Sequence, residues 1–528
     1  MFQKRFWVLT VVVLLTIFMV SGGLVAQDEN VLVIGHAEVT DSYDPAHGFT
    51  PTSAIIHQAA YDTLVTFPDG DASDILPALA TEWTVSDDGL VYTFTLGDEA
   101  RFGDGSGVTA GDVVFSLNRL RHVDGNPSFL ADGIASVEAV DDKTVAITLT
   151  DVQPPFLTRL TNTAFSITQA SVVQANGGTD AEDAATTDTA LEYLDQNSAG
   201  TGPYILESWA LQDETVLVRN PNYWGDAPFF DRVIIVNIAE AATQKAALES
   251  GDIDIALDLS PDQVSELEGN ADIGIFRGPG QWTHFLLMNA DPELGGPVSN
   301  PLVQQAIRYA LDYEGFKQLW PGSVTPGTNM SYLLAGSFGE DRAFARDIDR
   351  AKELLTEAGY PDGFDITLSY PDFVGGGANM NTNAQKLQAD LAEVGINVTL
   401  NPGELQVSLE EYRNGDQGFA YWFWGPDILD PADVLSFMPG GKVAAERANW
   451  TDDMVGADVI ELRDMAASES DPATRADLYN QIQEYLQESG IWAPFNVPPT
   501  QTAFRANISG YVWHPQWTLD VALLSRMS

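Results

Sequence analysis

Residues 364–400 read FDITLSYPDFVGGGANMNTNAQKLQADLAEVGINVTL, and this stretch decides the fold class. Residues 364–370 have the composition of a buried strand, and residues 396–400 alternate apolar with polar side chains as a second strand. Between them lies a helix whose apolar face is formed by Leu387, Leu391 and Val394. A strand, a helix and a strand in succession predict a parallel pair joined by a right-handed crossover.

Two further units, each a helix followed by a strand, are predicted around this stretch. Asp347 is placed to cap a helix that Gly359 ends, and residues 243–250 predict another helix, which Gly251 ends. The second half of the chain is therefore predicted to be α/β. Short strand-like runs broken by Gly and Asp occupy residues 30–68 and 76–150, and the Ala- and Thr-rich residues 177–199 predict a surface excursion or a weakly packed helix.

The composition limits the classes of function. The chain has 528 residues, 76 acidic and 25 basic side chains, a net charge of −51 and 45% hydrophobic residues. This apolar content is ample for a packed core and excludes disorder as the main state. The negative charge argues against nucleic acid or an anionic membrane surface as a partner. Without cysteine, disulfides, thiolate metal sites and cysteine nucleophiles are excluded.

The N-terminus has the pattern of a secretory signal peptide. Lys4 and Arg5 precede an apolar run over residues 6–20, and small residues follow up to Ala26. We predict a signal peptide over residues 1–26 and an exported protein, periplasmic or at the cell surface. The alternative is an uncleaved anchor helix, since the apolar segment is just long enough to span a bilayer. No cysteine follows it, which excludes a Cys-linked lipoprotein.

Motifs for catalysis or for a bound metal are missing. The six histidines are scattered, and neither a phosphate-binding loop nor a serine nucleophile elbow occurs. Residues 69–74 resemble the start of a calcium loop, but Ala80 stands where the loop requires Glu. We therefore predict no catalytic residue, no metal and no cofactor.

Aromatic residues that stand next to polar residues or glycines are the most informative feature about a binding site. Trp422 and Trp424 shortly precede Asp427, with Gly425-Pro426 ending the run. Aromatic faces beside a carboxylate are typical of a pocket wall for a cationic or amphipathic ligand. The alternative is that alternate members of the run belong to a buried strand. Trp282, in a Gly-rich context, is a second candidate for the pocket wall.

Nine motifs, which follow the order of that family along the chain, resemble the extracellular solute-binding proteins of ABC importers of the peptide/nickel type, family 5. They are Asp44-Pro45 and the segments at residues 76–83, 86–94, 101–105 with 109–116, 200–204, 219–224, 248–254, 300–312 and 351–360. Each motif alone is weak, whereas their shared order is a specific signal.

The resemblance implies an α/β fold of two lobes, with a ligand cleft at a hinge and an inserted subdomain in the first lobe. The expected boundaries are residues 27–63, 200–281 and 499–528 for the first lobe, 64–199 for the inserted subdomain and 282–498 for the second lobe.

The resemblance also implies a function and a site. In peptide-binding members an acidic residue at the position of Asp427 pairs with the α-ammonium group of the peptide, and Phe49 and Trp282 are further expected cleft residues. The expected protein is a non-catalytic, monomeric component that delivers peptides to an ABC permease. An oligosaccharide-binding protein of the same fold is the alternative, in which the tryptophans would stack on sugar rings, and a secreted hydrolase is a remote one.

Overall fold

The computed structural model describes residues 30–38, 40–72, 74–375 and 378–527. The predicted signal peptide, residues 1–26, lies outside the described residues. No helix within those four ranges is long and apolar enough to cross a membrane.

The second lobe is built on a five-stranded sheet. In spatial order its strands are Ile396–Gly403, Phe364–Pro371, Phe419–Trp424, Thr283–Met288 and Trp492–Asn496. The first two pair in parallel over their whole length, with the helix Met380–Ala392 between them in sequence. This confirms the parallel pair that the opening stretch predicts. The other helices of this lobe are Pro292–Gly295, Pro301–Ala310, Tyr313–Leu319, Ile348–Glu357, Leu405–Arg413, Lys442–Ala448, Ala457–Ser468 and Pro472–Ser489.

The first lobe contains a seven-stranded mixed sheet. Its strands, in spatial order, are Ile273–Gly278, Thr500–Arg505, Ile255–Ala256, Val31–His36, Arg232–Asn237, Glu214–Arg219 and Tyr204–Trp209. The helices Pro51–Ala60, Ala241–Ser250 and Pro261–Leu267 accompany it. The chain passes from this sheet to that of the second lobe after residue 278 and returns before residue 500, so two segments join the lobes.

The inserted subdomain has its own antiparallel sheet and its own core. The four strands are Ala80–Val85, Val91–Leu96, Thr144–Leu149 and Ile134–Ala139. They pack with the helix Ala110–His122 around a buried apolar cluster that includes Phe94, Leu117 and Ile147. Shorter helices of the subdomain are Phe156–Arg159, Ala170–Ala175, Ala184–Thr187 and Leu191–Leu194.

Local chemistry explains several of the element ends. The side chain of Asp347 accepts a hydrogen bond from the backbone N–H of Arg350 and so caps the helix that follows. Gly251 has a φ of 86°, the left-handed conformation in which glycine commonly ends a helix. Both ends lie where the sequence predicts them. The exact residue boundaries of the lobes stay a prediction.

Residues 177–199 form the surface excursion that their composition predicts, and a few buried side chains anchor it. Ala190 and Leu194 are buried against Phe115 and Val173, and the segment forms two one-turn helices. Asp188 forms a buried ion pair with an arginine of the helix Ala110–His122. Ala and Thr carry little apolar surface, so the segment is held to the subdomain at these few points and is otherwise largely exposed.

Candidate ligand-binding site

Asp427 lies in a loop that begins where the strand Phe419–Trp424 leaves the sheet. Pro426 has no N–H to donate to a sheet partner, so the strand ends there. Gly425 lies directly against the indole of Trp282, because a Cβ atom at residue 425 would stand 2.7 Å from Cζ3 of that ring. Only glycine allows this approach, which brings Trp282 to the start of the loop.

Asp433 holds the loop in shape. It is 5% exposed, and one carboxylate oxygen accepts the backbone N–H of Asp427 at 3.0 Å. The other oxygen accepts the indole N–H of Trp424 at 3.2 Å. Burial raises the pKa of Asp433 well above its usual value, and the nearby charge of Asp427 raises it further. Asp433 therefore links Trp424 and Asp427 into one unit.

The carboxylate of Asp427 is not committed to a partner. Neither oxygen accepts a hydrogen bond or lies within 4.0 Å of a basic nitrogen of any described residue, although the side chain is partly buried. Burial raises its pKa to about 6, against the positive charges of Arg447 and Lys442, which lower it. The backbone of Asp427 is thus held in place, while both carboxylate oxygens remain available to bind a ligand.

Trp424 has an arginine over its ring. The guanidinium carbon of Arg447 is 5.0 Å from the ring centroid of Trp424 and 4.9 Å from that of Tyr412. Phe437 contacts Trp424 edge to face, with ring centroids 5.3 Å apart. Trp424, Arg447 and Asp427 therefore form one surface of the second lobe.

The first lobe and its inserted subdomain contact this surface. The side-chain amide of Asn162 donates to the backbone carbonyl oxygen of Asp427 at 3.2 Å, and Ile428 packs against the core of the inserted subdomain. The ammonium of Lys442 lies 4.9 Å from the ring centroid of Phe129. Asp427 is therefore located where the lobes meet.

Phe49 reaches the same region from the first lobe. It is partly buried against the core of the inserted subdomain and contacts Phe129 edge to face, with centroids 5.6 Å apart. Since Phe129 faces Lys442, one ring separates Phe49 from the second lobe. Of the candidates from sequence, Asp427, Trp424, Trp282 and Phe49 thus lie on or beside the surfaces that face each other.

Trp422 lies in the core of the second lobe. It is 4% exposed, stacks on Tyr412 at a centroid distance of 4.5 Å and donates its indole N–H to Gln417 at 2.7 Å. Because side chains alternate along a strand, Trp422 and Trp424 share a face of the sheet, and only Trp424, at the end of the strand, reaches the loop. Trp422 therefore packs beneath this surface and is not itself exposed to a ligand, contrary to its prediction as a ligand-binding residue.

Arg447, Lys442, Asp433 and Asn162 are the residues that sequence reasoning missed. A usable signal existed for the first two, because they are the only basic residues between Arg413 and Arg463 in a chain of net charge −51. No comparable signal marked Asp433 or Asn162, since carboxylates are abundant here and contacts between lobes depend on tertiary structure.

Asp44, from the first family motif, has a structural role. Both of its oxygens accept hydrogen bonds from the guanidinium of Arg119, at 2.7 and 2.6 Å, and Asp188 binds the same group at 2.7 Å. The cluster ties the N-terminal segment to the inserted subdomain. Within the described ranges, no group of three or more histidine and acidic side chains is arranged to hold a metal ion.

Comparisons with known proteins agree with this architecture. Residues 74–446 match the family model for bacterial extracellular solute-binding proteins, family 5. The chain is 28% identical to the probable D,D-dipeptide-binding periplasmic protein of Escherichia coli, with 96% of each chain covered. It is also 28% identical to a di/tripeptide-binding protein of Pseudomonas aeruginosa, covering 96% of this chain and 97% of that one.

A solved structure extends the similarity to the fold. The periplasmic binding protein DppA of Helicobacter pylori, in complex with the peptide STSA, superposes with a TM-score of 0.79 at 26% identity, covering 95% of this chain and 99% of the other. The two sheets joined by two crossing segments, the inserted subdomain and the family match lead to one conclusion. The chain belongs to the family 5 bacterial extracellular solute-binding proteins.

Proposed function

We propose that the protein captures peptides between its lobes, with Asp427 receiving the α-ammonium group, and delivers them to an ABC permease without chemical change. The observation that carries this proposal is the uncommitted carboxylate of Asp427 where the lobes meet. A buried ammonium needs a charged partner, and hydrogen bonds to charged groups contribute about 1.5–3 kcal/mol. The peptide-binding proteins among its relatives support the same ligand class.

Ligand binding would favour the state in which the lobes are in contact. A peptide bound to Asp427 on one side and to the inserted subdomain on the other makes both sets of contacts only when the lobes approach. The contacts of Asn162 and Lys442 across the lobes belong to that state. We propose that the exported protein works as a monomer, free of a lipid anchor.

The test compares free and acetylated peptides. Thermal unfolding of the mature protein is followed with di- to pentapeptides, with the same peptides N-acetylated, and with oligosaccharides. A ligand present at 100 times its Kd adds about 2.7 kcal/mol to the free energy of unfolding. We expect stabilisation by free peptides and its loss on acetylation, which removes the ammonium charge.

Two variants identify the contact. In Asp427→Asn the difference between free and acetylated peptides should disappear, whereas Asp416→Asn, an exposed acidic residue of the same lobe, should retain it. Stabilisation by oligosaccharides alone would contradict the peptide assignment, and Trp424→Ala would then weaken binding more than Asp427→Asn. Turnover of a bound ligand by the purified protein would contradict a purely binding role.

A further inference from the structure

Two basic side chains beside Asp427 lack carboxylate partners. Most other lysines and arginines of the described residues are ion-paired or bonded to carbonyl oxygens; examples are Arg119, Lys386, Arg475 and Arg308. Arg447 and Lys442, by contrast, have no carboxylate oxygen of a described residue within 4.0 Å. In a chain of net charge −51 such a pair is unexpected.

The position of Lys442 is not explained by the stability of its own helix. Lys442 is the first residue of the helix Lys442–Ala448, where the positive end of the helix dipole disfavours a cation. Its ammonium faces the ring of Phe129 on the other lobe. Burial lowers the pKa of Arg413, and the charge of the nearby Arg447 lowers it further, so Arg447 lies close enough to a second cation to be repelled by it.

The guanidinium of Arg447 is held in place while N–H donors remain available for a ligand. Its guanidinium lies against the rings of Tyr412 and Trp424, contacts that hold the plane of the group. One hydrogen bond to the side chain of Tyr412 leaves most of its five N–H donors available. A planar guanidinium held in this way can bind a carboxylate through two parallel hydrogen bonds. It stands beside Trp424, whose indole shares the Asp433 carboxylate with the backbone of Asp427.

These cations change what Asp427 can accept. An ammonium group that approaches Asp427 also enters the positive field of Arg447 and Lys442, which already acts on that carboxylate. A ligand that carries a negative group next to its ammonium would satisfy both signs of charge at once. A ligand without one leaves the two cations uncompensated and adds its own positive charge beside them.

We propose that the surface formed by Asp427, Arg447 and Lys442 selects peptides that carry a carboxylate next to the amino-terminal ammonium, as in amino-terminal aspartyl and glutamyl peptides. Asp427 binds the ammonium, while Arg447 and Lys442 bind the neighbouring carboxylate. This inference rests on the proposed peptide-binding function and narrows its substrate class.

The test uses isosteric peptide pairs and calorimetry. Asp-Ala-Ala should bind the mature protein at least tenfold more tightly than Asn-Ala-Ala. Ala-Ala-Asp and Ala-Ala-Asn, in which the acid is far from the ammonium, should differ by less than threefold. In Arg447→Gln and in Lys442→Gln the preference for Asp-Ala-Ala should fall, most in the double variant, while Asn-Ala-Ala still binds. Lys352→Gln, at an exposed lysine of the same lobe, should leave the preference unchanged.

The outcomes separate the two proposals. If Asn-Ala-Ala and Asp-Ala-Ala bind equally, or if the preference survives in the double variant, the inference is wrong and the peptide-binding function stands. If no free peptide binds, both are wrong. Lys442 is exposed, so Lys442→Gln provides a readout even if Arg447→Gln fails to fold.

Discussion

Two charged clusters of this protein use the same residue types and differ in how completely they are paired. Around Arg119, the side chains of Arg119, Asp44 and Asp188 are 2%, 0% and 3% exposed, and the guanidinium binds both carboxylates. Around Asp427, the carboxylate and the two nearby cations have no oppositely charged group within 4.0 Å among the described residues. Complete pairing indicates a structural role, and incomplete pairing where two lobes meet indicates a site for a charged ligand.

The largest expected effect is the loss of stability when the fully paired cluster around Arg119 is broken. Arg119→Met leaves two buried carboxylates without a cation, and removing one partner of a buried ion pair costs about 3–5 kcal/mol. Denaturation by urea, followed by tryptophan fluorescence, should show this loss. Arg350→Met, which removes an exposed pair with Glu353, should cost less than about 1 kcal/mol. Equal losses in the two variants would contradict the structural assignment.

His36 is an intermediate case between the two clusters. Its Nδ1 is hydrogen-bonded to Asp258 at 2.8 Å, whereas its buried Nε2 has no hydrogen-bond partner among the described residues and lies 3.8 Å from a carboxylate oxygen of Glu38. Burial alone would lower the pKa of His36, but the charge and hydrogen bond of Asp258, together with Glu38, raise it from 6.5 to about 9. The folded state therefore binds a proton more tightly than the unfolded state does.

The sign of the pH dependence follows from this shift. The stabilisation from His36 is complete below about pH 6.5 and is lost as the pH rises to about 9. We expect the free energy of unfolding to fall by about 2–3 kcal/mol more in the wild type than in His36→Gln over this range. His57, whose burial lowers its pKa to about 4, does not titrate there. Parallel pH profiles for the two proteins would refute the assignment.

The incomplete cluster should respond in the opposite way to loss of charge. At pH 7 the ionised Asp427 is disfavoured in the folded protein, because burial raises its pKa to about 6. Asp427→Asn should therefore leave the melting temperature of the ligand-free protein unchanged or higher. Peptide affinity should fall at least tenfold, which corresponds to about 1.4 kcal/mol. A lower melting temperature with unchanged peptide affinity would assign Asp427 to the structural class.

The sequence predicts the fold well where the signal is local. The stripe Leu387, Leu391 and Val394 and the alternation at residues 396–400 specify a helix and a strand through short-range periodicity, and the parallel pairing follows from their order. The two lobes could be predicted only from the family motifs. The crossings after residue 278 and before residue 500 bring together elements that are far apart in the chain, and local periodicity carries no signal for this.

The site is predicted less completely for the same physical reason. Asp427 and Trp424 are three residues apart in a run of aromatic residues that ends in a carboxylate, so the sequence predicts both. Trp422 shares that pattern, and only tertiary packing against Tyr412 distinguishes it from Trp424. Arg447 is 20 residues further along the chain, and its contact with Trp424 depends on how a separate helix packs.

The smallest expected effect probes the contact between the lobes. Asn162 donates to the carbonyl oxygen of Asp427 through its amide, and its side-chain oxygen accepts the backbone N–H of Ala164 at 3.0 Å. Asn162→Ser keeps an oxygen able to cap residue 164 but is too short to reach the second lobe.

Because the lost hydrogen bond exists only when the lobes are in contact, the variant should weaken every peptide alike. A net value of about 0.5–1.5 kcal/mol for one hydrogen bond predicts a roughly two- to tenfold rise in Kd by calorimetry. The urea midpoint of the ligand-free protein should not change. If the loss instead depended on the charge at the start of the peptide, Asn162 would contact the ligand together with Asp427. The hydrogen bond of Asn162 would then not be a contact that only holds the lobes together.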